Sequence, residues 1–156
     1  MFKRPLDGSS DGTPLIDSRI NLGAASFSPD GRWLAYASDE SGQFETYIRP
    51  FPEGDKLFQI SPRGGSAPVW CGNGEIFYRN DRSLVAVTVS ASGNDLEISK
   101  PTVLFEMDPD TTAFDVTPDG QHFFMLRPRA RERVSLIFNW PEEMARINEA
   151  VAGGSE

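Results

Sequence analysis

Short apolar segments alternate with turn residues along most of the chain. The clearest unit is Ala25–Tyr36, two apolar stretches joined by the turn sequence Ser-Pro-Asp-Gly at Ser28–Gly31. Proline sets the first corner of a reverse turn, and Asp and Gly accept the positive φ that reverses the chain. The pattern therefore predicts a β-hairpin.

The same unit recurs at Pro68–Tyr78 and at Phe114–Met125. Aligning Phe27, Trp70 and Val116 gives periods of 43 and 46 residues. A period of about 40–45 residues that holds four short strands is typical of the blades of a β-propeller. The sequence therefore predicts an all-β fold, a partial β-propeller of about three four-stranded antiparallel blades.

Eleven strands are predicted within these repeats. In chain order they are Gly23–Phe27, Trp33–Ser38, Phe44–Arg49, Lys56–Ile60, Ser66–Trp70, Glu75–Arg79, Leu84–Ser90, Thr102–Phe105, Thr112–Val116, His122–Arg127 and Val134–Asn139. Aromatic residues recur at matched positions, as packing between blades requires, so we predict core positions for most of Trp33, Tyr36, Trp70, Phe77, Tyr78, Phe123, Phe124 and Trp140.

The repeats divide the chain into parts of one propeller domain. Phe2–Leu6 resembles Tyr47–Phe51, and Leu15–Ser18 resembles Phe58–Ser61, so residues 1–22 are predicted to be the end of a preceding blade, including its outer strand. Residues 23–65 and 66–111 form two blades, and residues 112–140 form an incomplete third. Residues 141–156 are predicted to form a short helix and a tail, because proline and two acidic residues begin this segment.

This count leaves the propeller incomplete. One leading outer strand, two full blades and three further strands amount to roughly half of a six-bladed propeller, and propellers close with about 4–8 blades. An open fan leaves unpaired surfaces at both ends. The sequence therefore predicts that the isolated chain dimerises or aggregates. Two copies would together supply the strands of six blades, and in such a homodimer the strand around Leu15 of one copy could complete the third repeat of the other.

Charge and cysteine content exclude several classes of partner and site. Lys and Arg number 15 against 23 Asp and Glu, a net charge of −8, which disfavours nucleic acid and anionic membranes. With Cys71 as the only cysteine, neither an intrachain disulfide nor a multi-thiolate metal site is possible. No signal peptide or transmembrane segment is recognisable. The prediction is a chain that is cytoplasmic as given, or periplasmic if a signal sequence lies upstream.

The candidates for catalysis are weak. Gly8–Gly12 matches the Gly-x-Ser-x-Gly nucleophile elbow, but no helix is predicted after it. The same segment resembles the start of a calcium loop, yet Ser18 stands where the closing carboxylate belongs. His122 is the single histidine, and Cys71 has no histidine nearby in the sequence to activate it. We therefore predict no catalytic residue, no metal site and no cofactor.

Candidate binding residues lie in the loops that join successive blades. Arg19, Arg63 and Asp110 occupy such loops, which should gather at one mouth of the central channel and contact a protein or a small ligand. A second candidate is an arginine cluster within seven residues, which would contact an anion or an acidic partner; its members are Arg127, Arg129, Arg131 and Arg133. The alternative for this cluster is a solvated loop whose alternating charges prevent edge aggregation.

Several motifs carry a family resemblance that spans nearly the whole chain. Phe27–Gly42 and Tyr47–Pro52 resemble the TolB-like, WD-repeat-like propellers of bacteria, most closely the C-terminal propeller of bacterial serine/threonine protein kinases. The Ile60-Ser61-x-x-Gly64-Gly65 motif, the Phe114–Gln121 turn and the closing Asn139–Glu143 segment fit the same pattern. The second repeat departs from it, because Cys71–Gly74 replaces the Pro-Asp-Gly turn.

The resemblance implies a non-catalytic module for ligand sensing or protein docking. None of the kinase motifs occurs in the chain, so any catalytic activity would reside outside it. The alternative is a regulatory propeller segment of a larger serine/threonine protein kinase or of an oligopeptidase-like hydrolase.

Overall fold

The computed structural model describes residues 1–5, 7, 11–16, 19–93 and 95–128. Every helix or strand element within these ranges is a β-strand, and every pair of strands is antiparallel, which confirms the predicted all-β class. The described sheets are open. None of these residues forms a helix that is long and apolar enough to cross a membrane. The predicted strand Val134–Asn139 and the predicted helix in residues 141–156 lie outside the described residues.

Sheet I is a four-stranded meander in which each strand pairs with the next along the chain. Alternating apolar residues and short turns place its strands close to their predicted bounds, and Trp33–Ser38 matches its prediction. The fourth strand is shorter than predicted. The strands are β3 (Leu22–Phe27), β4 (Trp33–Ser38), β5 (Glu45–Pro50) and β6 (Phe58–Gln59).

Sheet II contains one strand that the sequence analysis missed. Its strands are β7 (Ser66–Trp70), β8 (Glu75–Asn80), β9 (Ser83–Ser92), β10 (Asp95–Ile98) and β11 (Thr102–Glu106).

The missed strand, β10, follows a turn at Gly93, whose φ is +64°. It pairs with the C-terminal half of β9, whereas β11 pairs with the N-terminal half. Strand β9 is therefore longer than predicted. Leu96 and Ile98, two positions apart on β10, pack against the core between sheets I and II.

Two smaller units flank these sheets. Sheet III consists of β12 (Ala113–Val116) and β13 (Phe123–Leu126). The N-terminal pair consists of β1 (Phe2–Lys3) and β2 (Thr13–Pro14). The outer strand was predicted around Leu15, whereas the observed strand β2 lies just before that residue.

Strand alternation divides the core into layers between successive sheets. On β9, Val85, Val87 and Val89 face sheet I, whereas Leu84 and Ala86 face sheet III. Side chains alternate between the two faces of a strand, so a sheet covered on both sides is apolar at consecutive positions. A third layer, around Leu34, Tyr36 and Tyr47, lies on the other face of sheet I with Ile16 and further residues of the N-terminal segment. The sheets are therefore stacked face to face in chain order.

The turn after the first strand of each sheet is built in the same way. Gly31, Gly74 and Gly120 occupy equivalent positions with φ of +70°, +84° and +73°. In the first turn the Asp30 carboxylate accepts hydrogen bonds from the Ser28 hydroxyl at 2.6 Å and the Arg32 amide at 3.0 Å. These bonds lower the pKa of Asp30 to about 2. The turn after β7, which lacks the Pro-Asp-Gly sequence, is also a reverse turn, in which the Gly74 amide donates to the Cys71 carbonyl at 3.3 Å.

Candidate binding edge

The loops that precede the first strand of each sheet lie at one edge of the stack. At the opposite edge, the C-terminal ends of β7 and β12 lie close together: the Gly72 amide after β7 donates to the Pro118 carbonyl after β12 at 3.1 Å. We call the edge where β3, β7 and β12 begin the loop edge; it comprises residues 19–21, 39–45, 60–65, 79–82, 107–112 and 127. All three predicted contact residues of the connecting loops, Arg19, Arg63 and Asp110, belong to it.

A buried carboxylate anchors the middle loop of this edge. Glu45, the first residue of β5, is only 1% exposed. Its carboxylate accepts hydrogen bonds from the Ser61 hydroxyl, from the Gly64 amide at 2.9 Å and from the Gln43 side-chain amide at 2.5 Å. The Ser61 hydroxyl also accepts a bond from the Thr46 amide at 2.7 Å. A buried charge is tolerated when several donors satisfy it, so this network holds loop 60–65 against the start of β5.

Gly65 is required by the close approach of this loop to β5. Its amide donates to the Phe44 carbonyl at 2.9 Å. A Cβ atom at this position would lie 2.6 Å from the Cβ of Ser61 and 2.7 Å from the Oγ1 of Thr46, closer than van der Waals contact allows. In the Ser-x-x-Gly-Gly motif, the last glycine is therefore required because there is no space for a side chain, and the serine is required for its hydrogen bonds to Glu45 and Thr46.

Arg63 projects from this anchored loop and is exposed. Its guanidinium influences Tyr78, whose pKa is raised to about 12 chiefly by burial, secondly by the Glu45 carboxylate, with Arg63 acting in the opposite direction. The backbone at Arg63 is thus held by its neighbours, while the cation itself faces solvent.

Asp108 brings together two residues that the sequence analysis placed in different candidate sites. Its carboxylate accepts a hydrogen bond from the Asp110 amide at 3.1 Å and forms an ion pair with Arg127 at 2.8 Å. The next turn of the loop is held by Arg79, which donates to the Thr111 carbonyl at 2.7 Å. The side chain of Asp110 remains exposed. Of the predicted arginine cluster, Arg129, Arg131 and Arg133 lie outside the described residues.

The loop that contains Arg19 is anchored two residues later. Asn21 donates from its amide to Asp39 Oδ1 at 2.8 Å and from its side chain to Asp39 Oδ2 at 2.6 Å. These two hydrogen bonds lower the pKa of Asp39. Arg19 is exposed beside this anchor.

A cleft of about 430 Å³ opens between sheets II and III next to the Asp108–Arg127 ion pair. Phe105, Phe123 and Met125 form an apolar part of its wall. Ligand pockets have volumes of roughly 300–1,000 Å³ and combine apolar walls with a few polar groups. The cleft could therefore hold a ligand or a partner side chain that has an apolar part and a charged group.

The residues weighed for catalysis have local roles. Cys71 is buried, and its thiol donates to the carbonyls of Thr117 and Pro118 at 3.4 and 3.2 Å. His122 is exposed, and its backbone amide donates to the Thr117 hydroxyl at 3.1 Å. Ser9, in the segment that matches the elbow motif, lies outside the described residues. Among the residues that the structure does describe, no three His, Cys, Asp or Glu side chains form a group that could hold a metal ion.

Sequence reasoning missed the anchors of the loop edge. Glu45, Asn21 and Asp39 received no role, because a polar residue beside a turn gives no sign that it will be buried or paired. The available signal was the short spacing between Ser61 and the two glycines that follow it.

No family model matches the chain, and no curated protein matches it.

Proposed function

We propose that this chain is a non-enzymatic binding module of the β-propeller type, which presents its loop edge to a protein partner. Support for the propeller type comes from the face-to-face stacking of successive antiparallel sheets and from the repeated turn with one positive-φ glycine. Neither feature depends on the identity of the partner.

The observation that carries the proposal is the combination of anchored backbone and exposed charge at this edge. The Glu45–Ser61 network and the Asp108 carboxylate fix two loops, while the side chains of Arg63 and Asp110 stay exposed. Side chains on a fixed backbone lose less conformational entropy when a partner binds, which is why preorganised surfaces bind more tightly. Opposite charges on one edge also select a partner of complementary pattern.

Site-specific photocrosslinking tests the proposal. A photoreactive amino acid is placed at Arg63 or at Asp110, and matched controls carry it at Arg32 or Gln121, which are exposed in the turns of the opposite edge. In an extract of the cells that express the chain, we expect one adduct of the same mass from both loop-edge positions and none from the controls.

The recovered partner is then tested for binding in purified form. Arg19→Ala, Arg63→Ala and Asp110→Ala combined should weaken its affinity at least tenfold. Unchanged affinity of the triple variant, or adducts that form equally from both edges, would refute the assignment.

A further inference from the structure

The chain carries two complementary halves of a four-stranded sheet, one at each end of its stack. Sheet III corresponds to the first two strands of sheet I, because both turns contain the same two backbone hydrogen bonds. In sheet I the bonds are Ser28 N to Trp33 O at 2.9 Å and Gly31 N to Ser28 O at 2.8 Å, and in sheet III they are Thr117 N to His122 O at 2.9 Å and Gly120 N to Thr117 O at 2.8 Å.

The N-terminal pair corresponds to the last two strands of sheet I. In β1 and β2, Phe2 lies opposite Pro14 and Lys3 opposite Thr13. Adding 45 to each number gives the register of β5 and β6, in which Tyr47 lies opposite Gln59 and Ile48 opposite Phe58. The N-terminal pair therefore has the pairing of a third and a fourth strand, whereas sheet III has that of a first and a second.

Both ends of the stack also expose large apolar side chains. Phe124 and Leu126 on β13 are 64% and 63% exposed. Phe124 is one of the recurring aromatic residues for most of which core positions were predicted. At the other end, Phe2 and Phe27 are 66% and 50% exposed. Among the described residues, β13 pairs only with β12 and β1 only with β2. Exposed apolar surface beside such a strand edge is typical of a surface that associates with another chain.

We propose that two copies of this 156-residue chain associate head to tail, with β13 of each copy pairing with β1 of the other. Each of the two equivalent contacts then completes one antiparallel four-stranded sheet. Sheets I and II of both copies and the two composite sheets make a ring of six, within the range of about 4–8 in which such stacks close. This self-association goes beyond the proposed binding role and does not depend on the loop edge.

The register of this contact follows from sheet I. Val116 and Phe27 occupy the same position before their turns. Val116 lies opposite Phe123, and Phe27 lies opposite Leu34. The residues that follow, Phe124 on β13 and Ala35 on β4, therefore correspond. Ala35 lies opposite Ile48 in sheet I, and Lys3 corresponds to Ile48. Phe124 should therefore lie opposite the partner's Lys3. The prediction from sequence named the strand around Leu15 as the added strand; because β1 and β2 pair with each other, the present proposal has these two strands dock as one unit.

Disulfide trapping tests the register. Lys3→Cys and Phe124→Cys chains are mixed under mild oxidation, and we expect a covalent dimer, because directly opposite strand residues have Cβ atoms about 4.5–5.5 Å apart. Lys3→Cys mixed with Thr102→Cys, which is exposed on β11, is the matched control and should give little product. A dimer that is trapped equally by both mixtures, or by neither, would overturn the proposed pairing.

Sedimentation equilibrium tests the association itself. The wild-type chain should have twice its monomer mass of 17.2 kDa. Leu126→Asp should raise the dissociation constant by roughly a hundredfold or more, because each dimer would bury two such side chains and a buried carboxylate without a partner is strongly unfavourable. Ser92→Asp, at an exposed position at the end of β9, should leave it unchanged. A wild-type chain that stays monomeric at 100 μM would refute the proposal.

Discussion

Replacing Ser61 by alanine tests the reasoning about the loop edge most directly. The hydroxyl donates to the buried Glu45 carboxylate and accepts from the buried Thr46 amide, so its removal leaves one amide without a partner and the carboxylate with one donor fewer. An unsatisfied buried amide costs about 1–3 kcal/mol, and a hydrogen bond to a charged group contributes about 1.5–3 kcal/mol. The two effects overlap, because Gln43 and Gly64 still donate to the carboxylate. We expect Ser61→Ala to lower the free energy of unfolding by about 3 kcal/mol.

Urea denaturation followed by tryptophan fluorescence measures this loss, since Trp33, the first residue of β4, is buried in the core. With an m-value of about 2 kcal/mol/M, the midpoint should fall by about 1.5 M. Ser92→Ala, an exposed serine, is the matched control and should change stability by less than about 0.5 kcal/mol. A double-mutant cycle with Glu45→Gln should give a coupling of at least about 1 kcal/mol. If Ser61→Ala is as mild as Ser92→Ala, the network does not hold the loop and the explanation fails.

Three further predictions concern other parts of the fold. Gly65→Ala should lower the free energy of unfolding by about 1–3 kcal/mol in the same urea assay, because the added Cβ would lie 2.7 Å from the Oγ1 of Thr46. A loss smaller than about 1 kcal/mol would contradict the steric argument. The pKa of Asp30 is lowered from 3.8 to about 2, so the carboxylate stabilises the fold above about pH 4 and this contribution is lost as the pH falls towards 2. Between about pH 4 and pH 2, thermal melts should show that the free energy of unfolding falls by up to about 1 kcal/mol more in the wild type than in Asp30→Asn; solvent screening of this exposed carboxylate keeps the value small. If the stability of both proteins changes in parallel with pH, the lowered pKa of Asp30 is refuted. Cys71 is 1% exposed, so a thiol reagent should label it only after unfolding, and rapid labelling of the native chain would contradict its burial.

Most strands were predictable because their causes are local. A Pro-Asp-Gly turn reverses the chain wherever it stands, and alternation of apolar residues sets which face of a strand is covered. Trp33–Ser38 and Ser66–Trp70 therefore have their predicted bounds. The strand β10 was not predictable from alternation alone, because Leu96 and Ile98 are apolar positions in an otherwise polar segment. What makes it a strand is the contact with the core that sheets I and II form together.

The loop edge was predictable in position but not in construction. Repeat arithmetic placed Arg63 and Asp110 in loops that join successive sheets, and the structure has them there. The residues that hold those loops come from elsewhere in the chain, since Glu45 lies 16 positions before Ser61 and Arg127 lies 19 positions after Asp108. A pairing over such a separation depends on the folded path of the chain and leaves no local pattern.

By itself, the sequence determined the all-β class, the repeat and the turns, because each depends on the backbone preferences and apolar spacing of neighbouring residues. Only the tertiary structure decided that Glu45 is buried and satisfied, that Asp108 connects Asp110 with Arg127, and that β1 and β2 pair in the register of β5 and β6. These features arise from the register between strands and the stacking of sheets, which bring distant residues within hydrogen-bonding distance.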